Sequence, residues 1–154
     1  MHTLVLAIGN RLRGDDGVAA RAADLLGVHS GVEVRRVAQL TPELAEPVSA
    51  AATVVLVDAD PGATEARLEC LVPAPRRSPF THTVSPGELV LLAKQLYGFQ
   101  GAAYLCHVPA KDFRENDSLS EVAEAGARAA ARCVLALLDD GVEGDRKSAR
   151  RGKI

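Results

Sequence analysis

Two continuous apolar runs constrain the fold of this chain more than any other feature of its sequence. Leu4–Ile8 reads LVLAI and Thr53–Val57 reads TVVLV, and each run is closed by polar or turn-forming residues. A strand that is apolar on both faces is typical of a parallel sheet covered by helices on both sides. The segment Val18–Leu26, between the two runs, has a helical pattern and ends at Gly27. The sequence therefore predicts an α/β fold.

The remaining segments continue the alternation of strands and helices. Further strands are predicted at Val32–Val37, Ala66–Val72 and Ala102–Val108, and further helices from Thr41, over Glu88–Leu96 and from the capping box at Ser118 through Leu138. This order predicts a three-layer αβα fold. Its middle layer is a twisted, mostly parallel five-stranded sheet, with Ala66–Val72 as an antiparallel edge strand. We expect a single domain over residues 1–140 and a polar, disordered tail over residues 141–154.

Composition excludes several classes of protein. The chain has 154 residues, 47% of them hydrophobic, a net charge of -2, 3% aromatics and three cysteines without a C-x-x-C pair. Binding of nucleic acid, a disulfide framework and a thiolate zinc site are therefore disfavoured. No apolar run has the length of a membrane span, and the N-terminus lacks the basic flank of a signal peptide. We expect a cytoplasmic, monomeric protein.

Three side chains that follow predicted strands carry donor atoms for a divalent metal ion. Asp16 follows the first strand, Asp58 ends the third, and His82 lies in the loop before the helix at Glu88. Ligands in open α/β sheets bind beyond the carboxyl ends of the strands. Two carboxylates and one imidazole would leave coordination positions open for a substrate. A phosphate site is disfavoured, because the first loop lacks both the G-x-G-x-x-G and the P-loop pattern.

Structural interpretations of the same residues stay open. Asp15 or Asp16 is a candidate cap for the helix at Val18, and Asp58 a candidate start for a turn over Asp60-Pro61-Gly62. His82 is a candidate solvated loop histidine, and Asn10 a candidate for a left-handed turn. Neighbouring strand residues face opposite ways, so Cys106 and His107 do not form a nucleophile–base pair.

Four ordered segments resemble one family. They are LVLAIGNRLRGDDGVAARAAD (Leu4–Asp24), VVLVDAD (Val54–Asp60), THTVSPGELVLLAKQLYG (Thr81–Gly98) and HVPAKDFRENDSLSEVAEAG (His107–Gly126). Their order and content resemble the [NiFe]-hydrogenase maturation endopeptidases, over about residues 2–139.

The resemblance implies a phosphorylase/hydrolase-like fold and a metal-dependent endopeptidase. Members of this family remove a C-terminal extension from the hydrogenase large subunit precursor once nickel is inserted. The family's metal-contacting positions correspond to Asp16, Asp58 and His82, which would sense nickel supplied by the substrate, or another divalent metal bound in its place. Asp16 or Asp58 is also a candidate general base. Asn10 and Gln39 are candidate substrate-binding residues.

The chain departs from the family pattern in its first two loops. The first has Ala7-Ile8-Gly9-Asn10 where G-x-G-N is common, and the second has Val37-Ala38-Gln39-Leu40-Thr41 where many members have D-G-G-T. A mechanism that needs this second-loop acid is therefore disfavoured. Two alternatives stay open: a non-catalytic, chaperone-like metal-binding module for hydrogenase assembly, and a different metal-dependent hydrolase.

Overall fold

The computed structural model describes residues 2–77 and 81–151, with side chains through residue 140. The strands are β1 (Thr3–Ile8), β2 (Val32–Val37), β3 (Thr53–Asp60), β4 (Arg67–Cys70) and β5 (Ala102–Pro109). The helices are α1 (Val18–Leu26), α2 (Ala45–Ser49), α3 (Pro86–Tyr97) and α4 (Glu121–Arg151). Short 3-10 turns at Gly14–Gly17 and Pro42–Leu44 lead into α1 and α2.

The five strands form one sheet in the order β2-β1-β3-β5-β4. The first four strands of this order run parallel, and β4 pairs antiparallel with β5 at the edge. The predicted mostly parallel five-stranded α/β architecture is therefore confirmed, including its antiparallel edge strand. Since β1, β3 and β5 are parallel neighbours, their carboxyl ends lie at the same edge of the sheet.

Alternate residues of the central strands supply two separate cores. Val5 and Val55 pack with α1 and α4 on one face, whereas Leu6 and Leu56 pack with α2 and α3 on the other. Burial on both faces explains why the first and third strands read as continuous apolar runs. The alternation also places Asp58, two residues beyond Leu56, on the face that α2 and α3 cover.

The last helix is longer than the sequence predicts. It runs on to Arg151, past the predicted end at Leu138 and into the segment 141–154 for which a tail is predicted. The boundary between domain and tail at residue 140 stays a prediction, since side chains beyond that point and residues 152–154 lie outside the described part of the chain. No helix within residues 2–77 and 81–151 is long and apolar enough to cross a membrane.

Candidate functional site

The carboxyl edge of the sheet brings two of the predicted side chains near each other. Asp58 lies near the end of β3, and Asp16 lies in the 3-10 turn that follows β1. Both side chains are partly buried. They are near enough for the charge of Asp16 to raise the pKa of Asp58. The two segments that the resemblance assigns to one site therefore supply one carboxylate each.

The loop between β1 and α1 holds the Asp16 carboxylate in place. The Asn10 backbone N–H donates to Asp16 Oδ2 at 2.7 Å. Gly9 has a φ of 135°, and a Cβ at this position would overlap the Asp16 carbonyl oxygen. Only glycine fits there, because other residues would meet both the backbone strain and the overlap. The Gly9-Asn10 pair thus wraps the chain around Asp16.

Asp15, next to the predicted ligand, anchors the same loop to the far side of the site. Its buried carboxylate accepts hydrogen bonds from the backbone N–H groups of Lys111 (2.7 Å), Asp112 (2.9 Å) and Ser120 (2.8 Å), and from the Ser120 hydroxyl (2.7 Å). Burial alone would raise the pKa of Asp15, but these hydrogen bonds hold it below its usual value. Sequence reasoning missed this role, because the donors lie about a hundred residues further along the chain.

Two of the capping interpretations are wrong. The cap of α1 is Gly17, which makes no side-chain bond, so neither Asp15 nor Asp16 caps this helix. At the start of α4 the capping hydroxyl belongs to Ser120, which accepts from the Ala123 N–H at 3.2 Å, rather than to Ser118. The carboxylates of Asp15 and Asp16 are therefore available for roles other than capping this helix.

The turn after β3 is made by Asp60 and not by Asp58. The Gly62 N–H donates to Asp60 Oδ1 at 2.9 Å, and the Ala63 N–H donates to the Asp60 carbonyl at 3.1 Å. The interpretation of Asp58 as the start of this turn is thus corrected by two residues.

The Asp58 carboxyl has a raised pKa of about 6. Burial is the main cause, and the negative charges of Asp16 and Asp60 add to it, while the backbone N–H of Ala59 and the His107 side chain act in the opposite direction. Two repelling carboxylates in a partly buried site would both be stabilised by a cation placed between them. The donor set therefore suits a divalent ion.

His82 lies apart from the two carboxylates. It is exposed in the loop between β4 and α3, at the end where the Val84 N–H donates to the Leu40 carbonyl at 3.1 Å. Its neighbour is Glu43: the pKa of this carboxyl is lowered mainly by a hydrogen bond from Thr41, with a smaller contribution from His82. The loops after β2 and before α3 therefore meet around His82.

Among the described side chains, residues 2–77 and 81–140, no group of three His, Cys, Asp or Glu is arranged to hold a metal ion. The structure brings Asp16 and Asp58 together and leaves His82 beside Glu43. The set of Asp16, Asp58 and His82 accordingly stays a prediction. Only its two carboxylates lie near each other in the described residues.

The two predicted substrate-binding residues are exposed at this edge of the sheet. Asn10 Oδ1 accepts from the Leu12 N–H at 2.9 Å, and its φ is not positive, so the left-handed interpretation is wrong. Gln39 follows the end of β2. Both positions are open to a large partner.

His107, on β5, lies at the same edge, and sequence reasoning gave it no role there. Its Nδ1 is 3.0 Å from Asp60 Oδ2 and its Nε2 is 2.6 Å from Glu69 Oε2. Its neighbour Cys106 is buried against α1 and α4, on the opposite face, as the strand alternation predicts. Sequence spacing gives no signal for this cluster, because its members come from three different strands.

Comparison with known proteins gives matches in structure alone. No protein-family model matches the chain, and no curated protein does. Among solved structures, the hydrogenase maturating endopeptidase HybD from E. coli is similar over 92% of this chain and 94% of its own, with 21% identity and a TM-score of 0.75. A hydrogenase 2 maturation peptidase from a Thaumarchaeota archaeon is 25% identical over 90% of this chain and 98% of its own, with a TM-score of 0.65. The [NiFe] hydrogenase maturation protease HycI from Thermococcus kodakarensis is 19% identical over 90% of this chain and 92% of its own, with a TM-score of 0.67. The chain has the fold of these proteases over nearly its whole length.

Proposed function

We propose that this protein is an endopeptidase that removes the C-terminal extension of a nickel-loaded [NiFe]-hydrogenase large subunit precursor. One observation carries the proposal: the fold of the maturation proteases extends over 92% of the chain, at a TM-score of 0.75 to HybD. A fold alone admits many functions, so the site must supply the rest of the argument. The site supports the proposal with two carboxylates at the edge of the sheet where ligands of open α/β sheets bind.

Asp16 and Asp58 form the prearranged half of a nickel-sensing site in this proposal. At neutral pH a cation relieves their mutual repulsion, and in this proposal the cation is the substrate's own nickel. His82 joins them from its exposed loop when the precursor is bound. The precursor thus completes the coordination shell, and a precursor without nickel is not cleaved.

The reaction is hydrolysis of one peptide bond. The precursor's nickel acts as a Lewis acid towards the scissile carbonyl, and a water molecule attacks its carbon. Asp58, which is a carboxylate near neutral pH, takes the proton of this water as general base. The C–N bond breaks, and the proton passes to the leaving amine. Asp16 serves as the second nickel-contacting carboxylate.

In this proposal Asn10 and Gln39, which follow the neighbouring strands β1 and β2, bind the substrate beside the carboxylates. Asn10 uses its side-chain oxygen to hold the Leu12 N–H, which leaves its amide nitrogen for the precursor. Gln39 stands where many family members carry an acid, and its neutral amide offers a donor and an acceptor to peptide groups. We place this activity in the cytoplasm and in the monomeric protein.

The decisive experiment is mass analysis of a candidate large subunit precursor that is co-expressed with this protein, with and without nickel. We expect the precursor to lose its C-terminal extension only when nickel and the intact protease are both present. Stable binding without a change in precursor mass would support the chaperone-like module instead. Cleavage of small peptides or esters without any large subunit would support a different metal-dependent hydrolase.

A further inference from the structure

His107 lies beside the proposed site, and its contacts with Asp60 and Glu69, here called the His107 bridge, join three strands. His107 pairs with Asp58 in the β3–β5 register, so the two side chains share one face of the sheet. Its side chain is only 15% exposed, and its two ring nitrogens face Asp60 and Glu69. His107 therefore lies among the carboxylates at the end of the sheet.

The bridge is not required for pairing of the strands that it joins. Strands β3 and β5 are paired from Thr53–Ala102 to Asp60–Pro109 by their backbones. The edge strand β4 is also held by its backbone, with Leu71 donating to Ala103 at 2.9 Å beyond the strand. We therefore look for a role of the His107 bridge other than holding the strands together.

The bridge occupies two carboxylates that would otherwise compete for a cation. Asp60 has one oxygen on the Gly62 N–H and the other on His107, and Glu69 has one oxygen on the opposite ring nitrogen. The two carboxylates lie on opposite sides of the imidazole ring, so they do not converge on one ion. Asp58 is left as the carboxylate at the end of β3 that no such bridge engages.

We propose that His107 is a positioning residue: it sequesters Asp60 and Glu69, so that Asp16 and Asp58 are the only carboxylates that meet the substrate's cation. This inference rests on the proposed function for its biological meaning, but its physical content concerns binding of a cation to this chain. Without the imidazole, Asp60 would lose its contact with His107 and Glu69 would keep Arg67 Nη1 at 3.9 Å, so both carboxylates could draw a divalent ion away from the productive geometry. Asp60 lies on β3 and Glu69 on β4, on either side of β5, and carboxylates are suitable ligands for Mn²⁺.

The first test uses calorimetric titration of the purified protein with Mn²⁺ alone. His107→Gln should bind Mn²⁺ with about fivefold higher affinity than the wild type, because it gains free carboxylate charge. His107→Gln with Glu69→Gln should return towards the wild-type value. His107→Lys, which places a positively charged donor among the carboxylates where glutamine is neutral, is the second variant, and we expect wild-type affinity. Unchanged affinity in His107→Gln, with circular dichroism showing the wild-type fold, would overturn the inference.

The second test uses the nickel-loaded precursor. His107→Gln should lower kcat about tenfold to a hundredfold, as removal of groups that orient metal ligands commonly does, with KM little changed. Adding Glu69→Gln should restore part of kcat, whereas a purely structural loss would not be restored by deleting the partner.

The matched control is His2→Gln, which removes a histidine–carboxylate contact of 3.3 Å with Glu33, away from this edge. This variant should leave kcat unchanged. Equal kcat in His107→Gln and wild type would reject the role in cleavage. If the wild type itself fails to shorten the precursor, the proposed function fails, and the Mn²⁺ titration still decides the role of His107.

Discussion

The loop that carries Asp16 and the loop that carries His82 differ sharply in how they are held. The first is anchored by four hydrogen bonds to the buried Asp15 carboxylate and by the close approach of Gly9 to the Asp16 backbone. The second leaves His82 exposed beside Glu43. A buried, hydrogen-bonded carboxylate resists displacement, whereas an exposed side chain reorients at little cost.

In the proposed function, this difference separates the site into a fixed part and a mobile part. The protein would fix the carboxylates in advance, although their repulsion costs stability, and the substrate would place the imidazole. Such an arrangement gives a reason for discrimination between loaded and empty precursor: only an ion joins the two halves. The predictions below test each half separately.

The largest effect on precursor cleavage is expected from removing the exposed side chain of His82. His82→Ala should lower cleavage of the nickel-loaded precursor by at least about a thousandfold, several kcal/mol of lost transition-state stabilisation. The melting temperature should not change, because the side chain is exposed. The measurement is precursor mass against time, with thermal unfolding in parallel. His29→Ala, at the opposite end of the sheet, is a matched histidine control that should cleave normally.

Asp16→Asn should have a comparable effect on cleavage, since an amide lacks the charge that nickel would meet. The backbone bond from Asn10 can be kept by the amide oxygen, so the loop should stay folded. If both Asp16→Asn and His82→Ala process the precursor at the wild-type rate, the assignment of the site is lost.

Asp15→Asn tests the anchor rather than the reacting groups. We expect a loss of about 4 kcal/mol in the free energy of unfolding at pH 7, because buried N–H donors lose a charged acceptor. The folded-state pKa of Asp15 is lowered, so its contribution is present above the unfolded pKa and is lost as pH falls through the folded value. The difference from wild type in denaturant unfolding should therefore shrink in acid. A difference that stays constant with pH would contradict the anchoring role.

Asp58→Asn should act on stability in the opposite direction. The folded-state pKa of about 6 lies above the ordinary 3.8, so the carboxyl costs stability as pH rises between these values, and the cost persists at pH 7. Its removal should stabilise the protein by up to about 3 kcal/mol at pH 7 and by little at pH 3.5. The same variant should fail to cleave the precursor. Cleavage at the wild-type rate would show that Asp58 is neither base nor ligand, whatever its effect on stability.

The fold was predictable because its signals are local. The apolar runs at β1 and β3 reflect burial on both faces, and α3 begins at the local sequence Ser85-Pro86-Gly87-Glu88, in which the Glu88 N–H donates to the Ser85 hydroxyl at 3.2 Å. The candidate site residues came from the ends of the predicted strands and from the resemblance, since no spacing relates Asp16 to Asp58; the structure places these two carboxylates near each other, and the set with His82 stays a prediction. The anchoring of Asp15 and the bridge of His107 depend on partners from distant segments, and a single sequence gives no signal for such contacts.

The smallest expected effect concerns the second loop, where the chain lacks the acid that many family members carry. Glu43, four residues beyond Gln39, brings a carboxylate to His82 instead. Both groups are exposed, so their attraction is weak in water, and Glu43→Gln should reduce cleavage only about threefold. The effect should fall with added salt, because exposed charges are screened, and Glu46→Gln is the matched acidic control on the neighbouring helix. A salt-independent loss, or an equal loss in Glu46→Gln, would show that Glu43 does not act through His82, and that the exposed loop is held by other contacts.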